Sequence, residues 1–110
     1  MSIEKINIKK LKKNNRIILE TKETVFEIVV ISPRKCEIEV HGGIQFIRPT
    51  ACLIKEEIKK NNRVKFYYNF GGVEETFITS KVVSATVYGP KNSWHYDAIE
   101  KSKNENTDKT

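Results

Sequence analysis

The sequence lacks any run of about 20 apolar residues, the length that a helix needs to cross the hydrocarbon layer of a membrane. The N-terminus, Met-Ser-Ile-Glu-Lys, is largely polar, and no apolar stretch of the kind found in a secretory signal follows it. We therefore expect no membrane partner and a cytoplasmic location. Of the 110 residues, 38% are hydrophobic and 31% are charged. These values predict one small globular domain with a modest core.

Cysteine is scarce, since the chain contains only Cys36 and Cys52. A small secreted domain usually carries a denser disulfide framework, so we expect two reduced thiols that pack as small hydrophobes. The best set of zinc-type ligands would add His41 and His95, but its spacings match no compact ligand pair. Cys36 and His41 also differ in parity along one predicted strand, which places them on opposite faces. The sequence therefore predicts no metal site and no cofactor.

Signatures of catalysis are also missing. The sequence contains no glycine-rich phosphate loop, no dinucleotide-binding glycine fingerprint and no Cys-x-x-Cys motif. Its only aspartates, Asp97 and Asp108, lie in the C-terminal extension, away from the core that would have to hold a catalytic Mg²⁺ ion. Nucleophilic catalysis would pair Cys52 or Ser32 with His41, but no acid is placed to orient that histidine. We expect no catalytic residues and no enzymatic activity.

What the sequence does contain is a series of short β-branched and aromatic runs separated by turn residues. Several runs alternate apolar and polar residues with period two, which is typical of half-buried antiparallel strands. Pro49 lacks an N–H and marks an edge, a bulge or a strand end. Six or seven strands at this spacing predict an all-β fold, a small barrel of the SH3-like or OB-like kind. The predicted strands cover residues 16–21, 25–31, 36–41, 44–54, 63–70 and 75–88, the last stretch being two strands.

The remaining segments are assigned by their composition. Residues 55–60 are predicted to form a turn of helix or a polar crossover. Ser93 is placed to cap a short C-terminal helix over residues 94–101. Residues 102–110 contain nothing apolar and are expected to be a disordered polar tail. The domain is therefore predicted to span residues 1–101.

A seven-residue segment recurs: Leu-Lys-Lys-Asn-Asn-Arg-Ile at residues 11–17 returns as Ile-Lys-Lys-Asn-Asn-Arg-Val at 58–64, with the Lys-Lys-Asn-Asn-Arg motif in common. Asparagine tolerates the left-handed backbone conformation better than other non-glycine residues, so the motif predicts a tight turn just before a strand. We interpret the two copies as independent uses of one turn, because little beyond the motif matches.

The net charge of +6 favours acidic partners, nucleic acid above all. Positive charge is concentrated in residues 1–16, with a second cluster in residues 55–65. Small β-barrels bind single strands through basic grooves and stacking aromatic residues, and Tyr67 lies among basic and polar neighbours. The candidate nucleic-acid-binding residues are Lys9, Lys10, Lys12, Lys13, Arg16, Arg48, Arg63, Lys65 and Tyr67.

Aromatic residues make up an ordinary 9% of the chain, which is thin support for base stacking. We therefore favour a non-enzymatic interaction module that binds a protein partner or self-associates. A basic module for single-stranded RNA or DNA is the alternative, and a small enzyme is the third option. The candidate partner-binding residues are Trp94 and Tyr96, on the predicted C-terminal helix.

Two segments carry a resemblance. Residues 42–53 read Gly-Gly-Ile-Gln-Phe-Ile-Arg-Pro-Thr-Ala-Cys-Leu, and residues 79–87 read Thr-Ser-Lys-Val-Val-Ser-Ala-Thr-Val. They resemble short bacterial β-domain proteins that have a Gly-Gly, aromatic, Pro-Thr segment and a closing Thr-Ser-x-Val segment. The resemblance covers about residues 16–88 and implies a shared small β fold, with no known activity.

Overall fold

The fold follows from the alternation of apolar and polar residues along most of the chain. The computed structural model describes residues 5–90, and within them it contains nine strands and one 3₁₀ turn, Ile8–Lys10. The strands are β1 Lys5–Ile6, β2 Asn15–Thr21, β3 Val25–Ser32, β4 Glu37–Gly42, β5 Phe46–Leu53, β6 Ile58–Lys59, β7 Lys65–Phe70, β8 Val73–Ile78 and β9 Val82–Pro90.

Seven of these strands form one antiparallel sheet in the order β8-β7-β5-β4-β3-β2-β9, and β1 pairs with β6 in a separate two-stranded sheet. Strands β2 to β5 are successive neighbours, as are β7 and β8, which is the pattern that short turns between antiparallel strands produce. Strand β9 instead pairs with β2, so β8 and β9 are the two edges of the sheet although they are adjacent in sequence.

The short link between β8 and β9 forces the sheet to curl. The four Cα–Cα steps from Ile78 to Val82 reach at most about 15 Å, whereas the inter-strand spacings of a flat sheet of this order would span about 29 Å. The link also bonds to the segment before β7, since the Thr79 N–H donates to the Val64 carbonyl (2.9 Å) and the Val82 N–H to the Asn62 carbonyl (2.9 Å). No ladder joins β8 to β9 within residues 5–90. The all-β prediction is confirmed, whereas the closed SH3-like or OB-like barrel has no support because the sheet stays open.

The core lies on the concave side of this curled sheet, where alternate residues of each strand point inward. Phenylalanine rings form its centre: the ring centroid of Phe66 lies 5.7 Å from that of Phe26 and 5.7 Å from that of Phe46, both in edge-to-face geometry. The buried aliphatic residues around them include Ile17, Leu19, Ile28, Val30, Ile38, Val40 and Ile58.

Both copies of the Lys-Lys-Asn-Asn-Arg motif form the predicted turn. The first asparagine of each copy has a left-handed backbone, with φ of 73° at Asn14 and 70° at Asn61. Each of these residues also donates its N–H to a strand carbonyl, Asn14 to Val30 (2.7 Å) and Asn61 to Val82 (2.9 Å). The prediction from asparagine's tolerance of this conformation is therefore confirmed.

One local prediction needs correction, and two others are narrowed to one of their alternatives. Cys36 has φ of 56° and belongs to the turn before β4, so the predicted strand begins one residue later. Of the two alternatives predicted for residues 55–60, the structure has the crossover and not the turn of helix: the segment leads into β6, where Ile58 is buried and pairs with Ile6. Pro49 lies in a bulge of β5, one of the three positions predicted for it. The predicted helix over 94–101 and the tail over 102–110 lie outside the described residues. Among the residues described, no helix is long and apolar enough to cross a membrane.

Candidate functional site

The seven-stranded sheet is split between β5 and β7. These neighbours share a single paired position, Leu53 with Tyr67, whereas β7 and β8 pair along their whole length. From that position towards the start of β5 and the end of β7 the two strands diverge. A cavity of about 660 Å³ opens between them, with Phe46, Thr50, Tyr68 and Asn69 in its walls. Backbone in such a gap is not covered by a neighbouring strand, and uncovered strand edges are the usual sites of strand addition.

An irregularity in β5 turns apolar side chains outward at this gap. Val40 pairs with Thr50 and Gly42 with Phe46, so His41 alone lies opposite residues 47–49. Such a bulge bends the strand and re-aims its side chains. Ile47 is consequently 70% exposed although it lies within a strand.

Three exposed apolar side chains, those of Ile44, Ile47 and Phe70, line the cavity, and a fourth, Val73, lies next to Phe70. Ile44, in the β4–β5 turn, is 90% exposed, and Phe70, at the end of β7, is 73% exposed. Val73 pairs with Phe70 across the Gly71–Gly72 turn and is also exposed. We call Ile44, Ile47, Phe70 and Val73 the apolar end. A cluster of exposed apolar side chains of this kind is typical of an interaction surface.

The walls of the gap are held in place by the aromatic core. The Phe46 ring contacts the Tyr68 ring edge to face at 5.4 Å, and the Gln45 side-chain amide donates to the Tyr68 hydroxyl. These contacts tie the β4–β5 turn to β7. Arg48 and Glu75 complete the rim of the cavity with opposite charges.

A different surface lies at the other end of β4 and β5. Lys9, Arg34, Lys35 and Lys55 line a cavity of about 310 Å³ whose floor is formed by Cys36, Leu53 and Ile54. We call these four cations and their cavity the basic cleft. A second cavity, of about 190 Å³, shares Lys9 and Lys55 with it and carries Glu56 and Glu57 on its far wall.

Local hydrogen bonds position the cations of the basic cleft. Asn7 caps the 3₁₀ turn by accepting the Lys9 N–H at 3.0 Å. The turn that carries Arg34 and Lys35 is closed by the Cys36 N–H, which donates to the Pro33 carbonyl at 3.1 Å. The Cys36 carbonyl in turn accepts the Ile54 N–H at 3.1 Å, which brings the end of β5 against this turn.

The predicted cluster in β7 lies beside this cleft. The Lys55 ammonium lies 4.3 Å from the Tyr67 ring centroid, a cation–π contact. Arg63 and Lys65 line one small surface depression together with Lys55, Tyr67, Glu56 and Glu57. Arg63 also donates to the Thr79 carbonyl at 3.1 Å. Because Lys55 covers the Tyr67 ring, the ring is less open to base stacking than the sequence predicted.

The other predicted basic residues are dispersed. Lys10, at the end of the 3₁₀ turn, and Lys12 and Lys13, just after it, are exposed, and Arg48 belongs to the gap. Arg16 is mostly buried: it forms an ion pair with Glu27 at 3.0 Å and lies 5.2 Å from the Tyr88 ring centroid. Its partners within the sheet give Arg16 a structural role. The predicted residues Trp94 and Tyr96 lie outside the described residues.

Sequence reasoning missed Arg34 and Lys35 as site residues. Their signal in the sequence is the Ser-Pro-Arg-Lys segment at residues 32–35, where Pro33 favours a turn that exposes the two cations after it. Lys55 belongs to the basic cluster that the sequence shows in residues 55–65. Its contact with Tyr67, however, depends on the pairing of β5 with β7.

The residues considered for catalysis and metal binding are not brought together. His41 is exposed at one end of β4, and Cys36 lies in the turn at the other end. Among residues 5–90, no three His, Cys, Asp or Glu side chains are grouped as metal ligands. Both cysteines in the structure are free thiols, with Cys52 buried and Cys36 half-buried.

The two thiols are expected to differ in reactivity. Burial raises the pKa of the Cys52 thiol from an ordinary 9.0 to about 12, and the thiolate is the nucleophile. We expect iodoacetamide at about pH 8 to add one group per native chain, at Cys36, and two groups in denaturant. Peptide mass spectrometry identifies the site, and Cys36→Ser should remove the native adduct. Equal labelling rates at both thiols in the native protein would contradict this expectation.

The raised pKa of the buried Cys52 thiol also makes the stability of the fold depend on pH. In the unfolded chain Cys52 loses its proton near 9.0, whereas in the folded chain it keeps it up to about 12. The unfolded state therefore binds fewer protons in this window, and the contribution of Cys52 to stability, fully present below pH 9, is lost as the pH rises towards 12. Urea unfolding at rising pH should show a shallower decline in Cys52→Ala than in the parent chain.

Searches of protein-family models, curated proteins and solved structures find no match to this chain. The resemblance to short bacterial β-domain proteins therefore stays a prediction, and the functional argument rests on the two surfaces described above.

Proposed function

We propose that this chain is a non-enzymatic interaction module that self-associates through its apolar end, in the cytoplasm. The observation that carries the proposal is the gap between β5 and β7, bordered by the exposed side chains of Ile44, Ile47, Phe70 and Val73. Burying apolar surface contributes about 25 cal/mol per Å², so covering this cluster is favourable. The two free thiols are in keeping with a reducing compartment.

The charges at the rim favour a second copy of the chain as the occupant. Arg48 and Glu75 line the same cavity, and neither forms an ion pair with another residue of the part described. Most homo-oligomers are two-fold symmetric, which places the same patch on both sides of the interface. A two-fold axis through the apolar end would let Arg48 of each copy approach Glu75 of the other.

Sedimentation velocity tests this proposal. We expect a reversible shift from monomer to dimer as the concentration rises to roughly 0.5 mM, because small interfaces have dissociation constants in the micromolar to millimolar range. Ile47→Asp should raise the dissociation constant at least about tenfold, since it places a charge at the centre of an apolar contact. Val83→Asp is the matched control: Val83 is exposed on β9 and is expected to leave association unchanged.

Charge reversal tests the two-fold arrangement. Arg48→Glu and Glu75→Arg should each weaken the dimer, because like charges would then meet across the interface. The double variant should recover most of the lost affinity. A parent chain that stays monomeric at every concentration overturns the proposal, and so does a double variant that is weaker than both single variants.

A further inference from the structure

The basic cleft is a second surface, separate from the apolar end. Strand β5 runs from Phe46 at the apolar end to Leu53 at the floor of the cleft, a distance of roughly 20 Å. An occupant of one surface therefore does not cover the other. The cleft combines four cations with a concave shape, and its own lining contains no carboxylate.

Like charges are held close together in this cleft by the fold. Lys9, the Arg34–Lys35 pair and Lys55 come from three separate parts of the chain that line one cavity. The Ile54 N–H, which donates to the Cys36 carbonyl, joins two of these parts, the turn and the end of β5. Cations placed this way repel one another unless an anion lies between them. Arg63 and Lys65 lie beyond Lys55, at the start of β7, on a surface that also carries Glu56 and Glu57 and where cations outnumber carboxylates by three to two.

We propose that the basic cleft binds the phosphate backbone of a single nucleic-acid strand. Successive phosphates would occupy the cleft and then pass Lys55 towards Lys65 and Arg63. Binding of this kind depends on charge and little on base sequence, because the contacts are to phosphates. A concave site of about 310 Å³ admits one strand's phosphates more readily than the convex surface of a duplex.

Tyr67 acts in this proposal as a positioning residue. Its ring holds the Lys55 ammonium at 4.3 Å, which limits the freedom of a long side chain before a phosphate is bound. The ring itself is not assigned a stacking role, since Lys55 covers it. This assignment differs from the stacking role expected from the sequence.

Fluorescence anisotropy with a labelled oligo(dT) and a labelled oligo(U) of about a dozen nucleotides tests the proposal. The parent chain should bind both at about 50 mM salt and lose affinity steeply towards about 200 mM. The triple variant Lys9→Gln, Lys35→Gln, Lys55→Gln should raise the dissociation constant at least about tenfold. The slope of log K against log salt should also become less steep by about 2. Each phosphate contact with a single strand contributes about 0.7 to that slope, and the variant removes three such contacts.

A second triple variant with the same change of charge is the control. Lys12→Gln, Lys13→Gln, Lys22→Gln alters exposed lysines that line neither of the two cavities, and it should change affinity less than about threefold. Both triples should keep the parent's circular dichroism and unfolding midpoint, because their side chains are exposed. Equal losses in the two triples overturn the proposal, because net charge alone would then explain binding.

Two further measurements complete the test. Tyr67→Leu keeps every positive charge, so it should weaken binding severalfold without changing the salt slope. An unchanged affinity would overturn the positioning role of Tyr67. Failure of the parent chain to bind either oligonucleotide at low salt, or tighter binding of a duplex of the same length, overturns the proposal itself. None of these outcomes bears on self-association, which is measured without nucleic acid.

Discussion

Replacing Phe66 with alanine is expected to lower the free energy of unfolding by about 3–5 kcal/mol, the range for truncating a buried phenylalanine. Phe66 is 0% exposed, and its ring lies 5.7 Å from the rings of both Phe26 and Phe46. Its removal leaves a cavity at the centre of the aromatic core as well as losing the transfer free energy of the ring. Urea unfolding followed by circular dichroism measures the loss.

Phe70→Ala is the matched control, because Phe70 lies on the same strand and has the same parity as Phe66. Its side chain is 73% exposed, so stability should change by no more than about 0.5 kcal/mol. The same variant should weaken self-association, because Phe70 belongs to the apolar end. A Phe70→Ala protein as unstable as Phe66→Ala would show that the β7–β8 hairpin packs more tightly than the structure indicates.

This pair of residues also shows what could be predicted from the sequence. Period-two alternation predicts that residues 64, 66, 68 and 70 share a face, and Val64 and Phe66 are indeed buried while Tyr68 is half-buried. The alternation does not reveal that the side chain of Phe70, at the end of β7, is left exposed. That depends on β5 and β7 diverging, and strand partners are set by the whole sheet rather than by either strand.

The same reasoning explains the open sheet. Short strands at regular spacing are equally compatible with a closed barrel and with a curled open sheet, because both need inward-facing alternate residues. A barrel would be closed by pairing of the two edge strands, β8 and β9. The alternation of apolar and polar residues within each strand does not show whether that pairing forms. The left-handed turns at Asn14 and Asn61 were predictable because their cause is the residue itself.

For the site, the sequence predicts which residues are charged, but it does not predict which of them lie together in the fold. Arg16 stands in a basic run and is predicted, like its neighbours, to bind nucleic acid. Its ion pair with Glu27, however, depends on the pairing of β2 with β3. Arg34 and Lys35 are only two charges in a turn, and they become part of a cleft because β5 and the 3₁₀ turn lie beside them. Tertiary contacts therefore decide which lysines and arginines act together.

Gly42→Ala is expected to destabilise the fold by about 2–6 kcal/mol, because it combines backbone strain with a steric clash. Gly42 is the last residue of β4 and has φ of 144°, a conformation that L side chains rarely adopt. A Cβ atom there would lie 2.5 Å from the Val25 carbonyl oxygen and 3.0 Å from the Phe26 Cα. These are backbone atoms of β3, so no side-chain rotation relieves the contact and the β3–β4 pairing must shift.

Gly71→Ala separates the two causes. Gly71 has φ of 61°, but an added Cβ would meet no atom within 4 Å, so only the backbone strain of about 1 kcal/mol remains. Urea unfolding of both variants should therefore place Gly42→Ala well below Gly71→Ala, and the difference between them measures the clash with β3. Equal losses in the two variants would mean that β3 and β4 can move apart at Gly42 without cost. Because Gly42 precedes the turn that carries Ile44, Gly42→Ala should also disturb the apolar end, whereas binding at the basic cleft, at the other end of β4, should persist in whatever fraction remains folded.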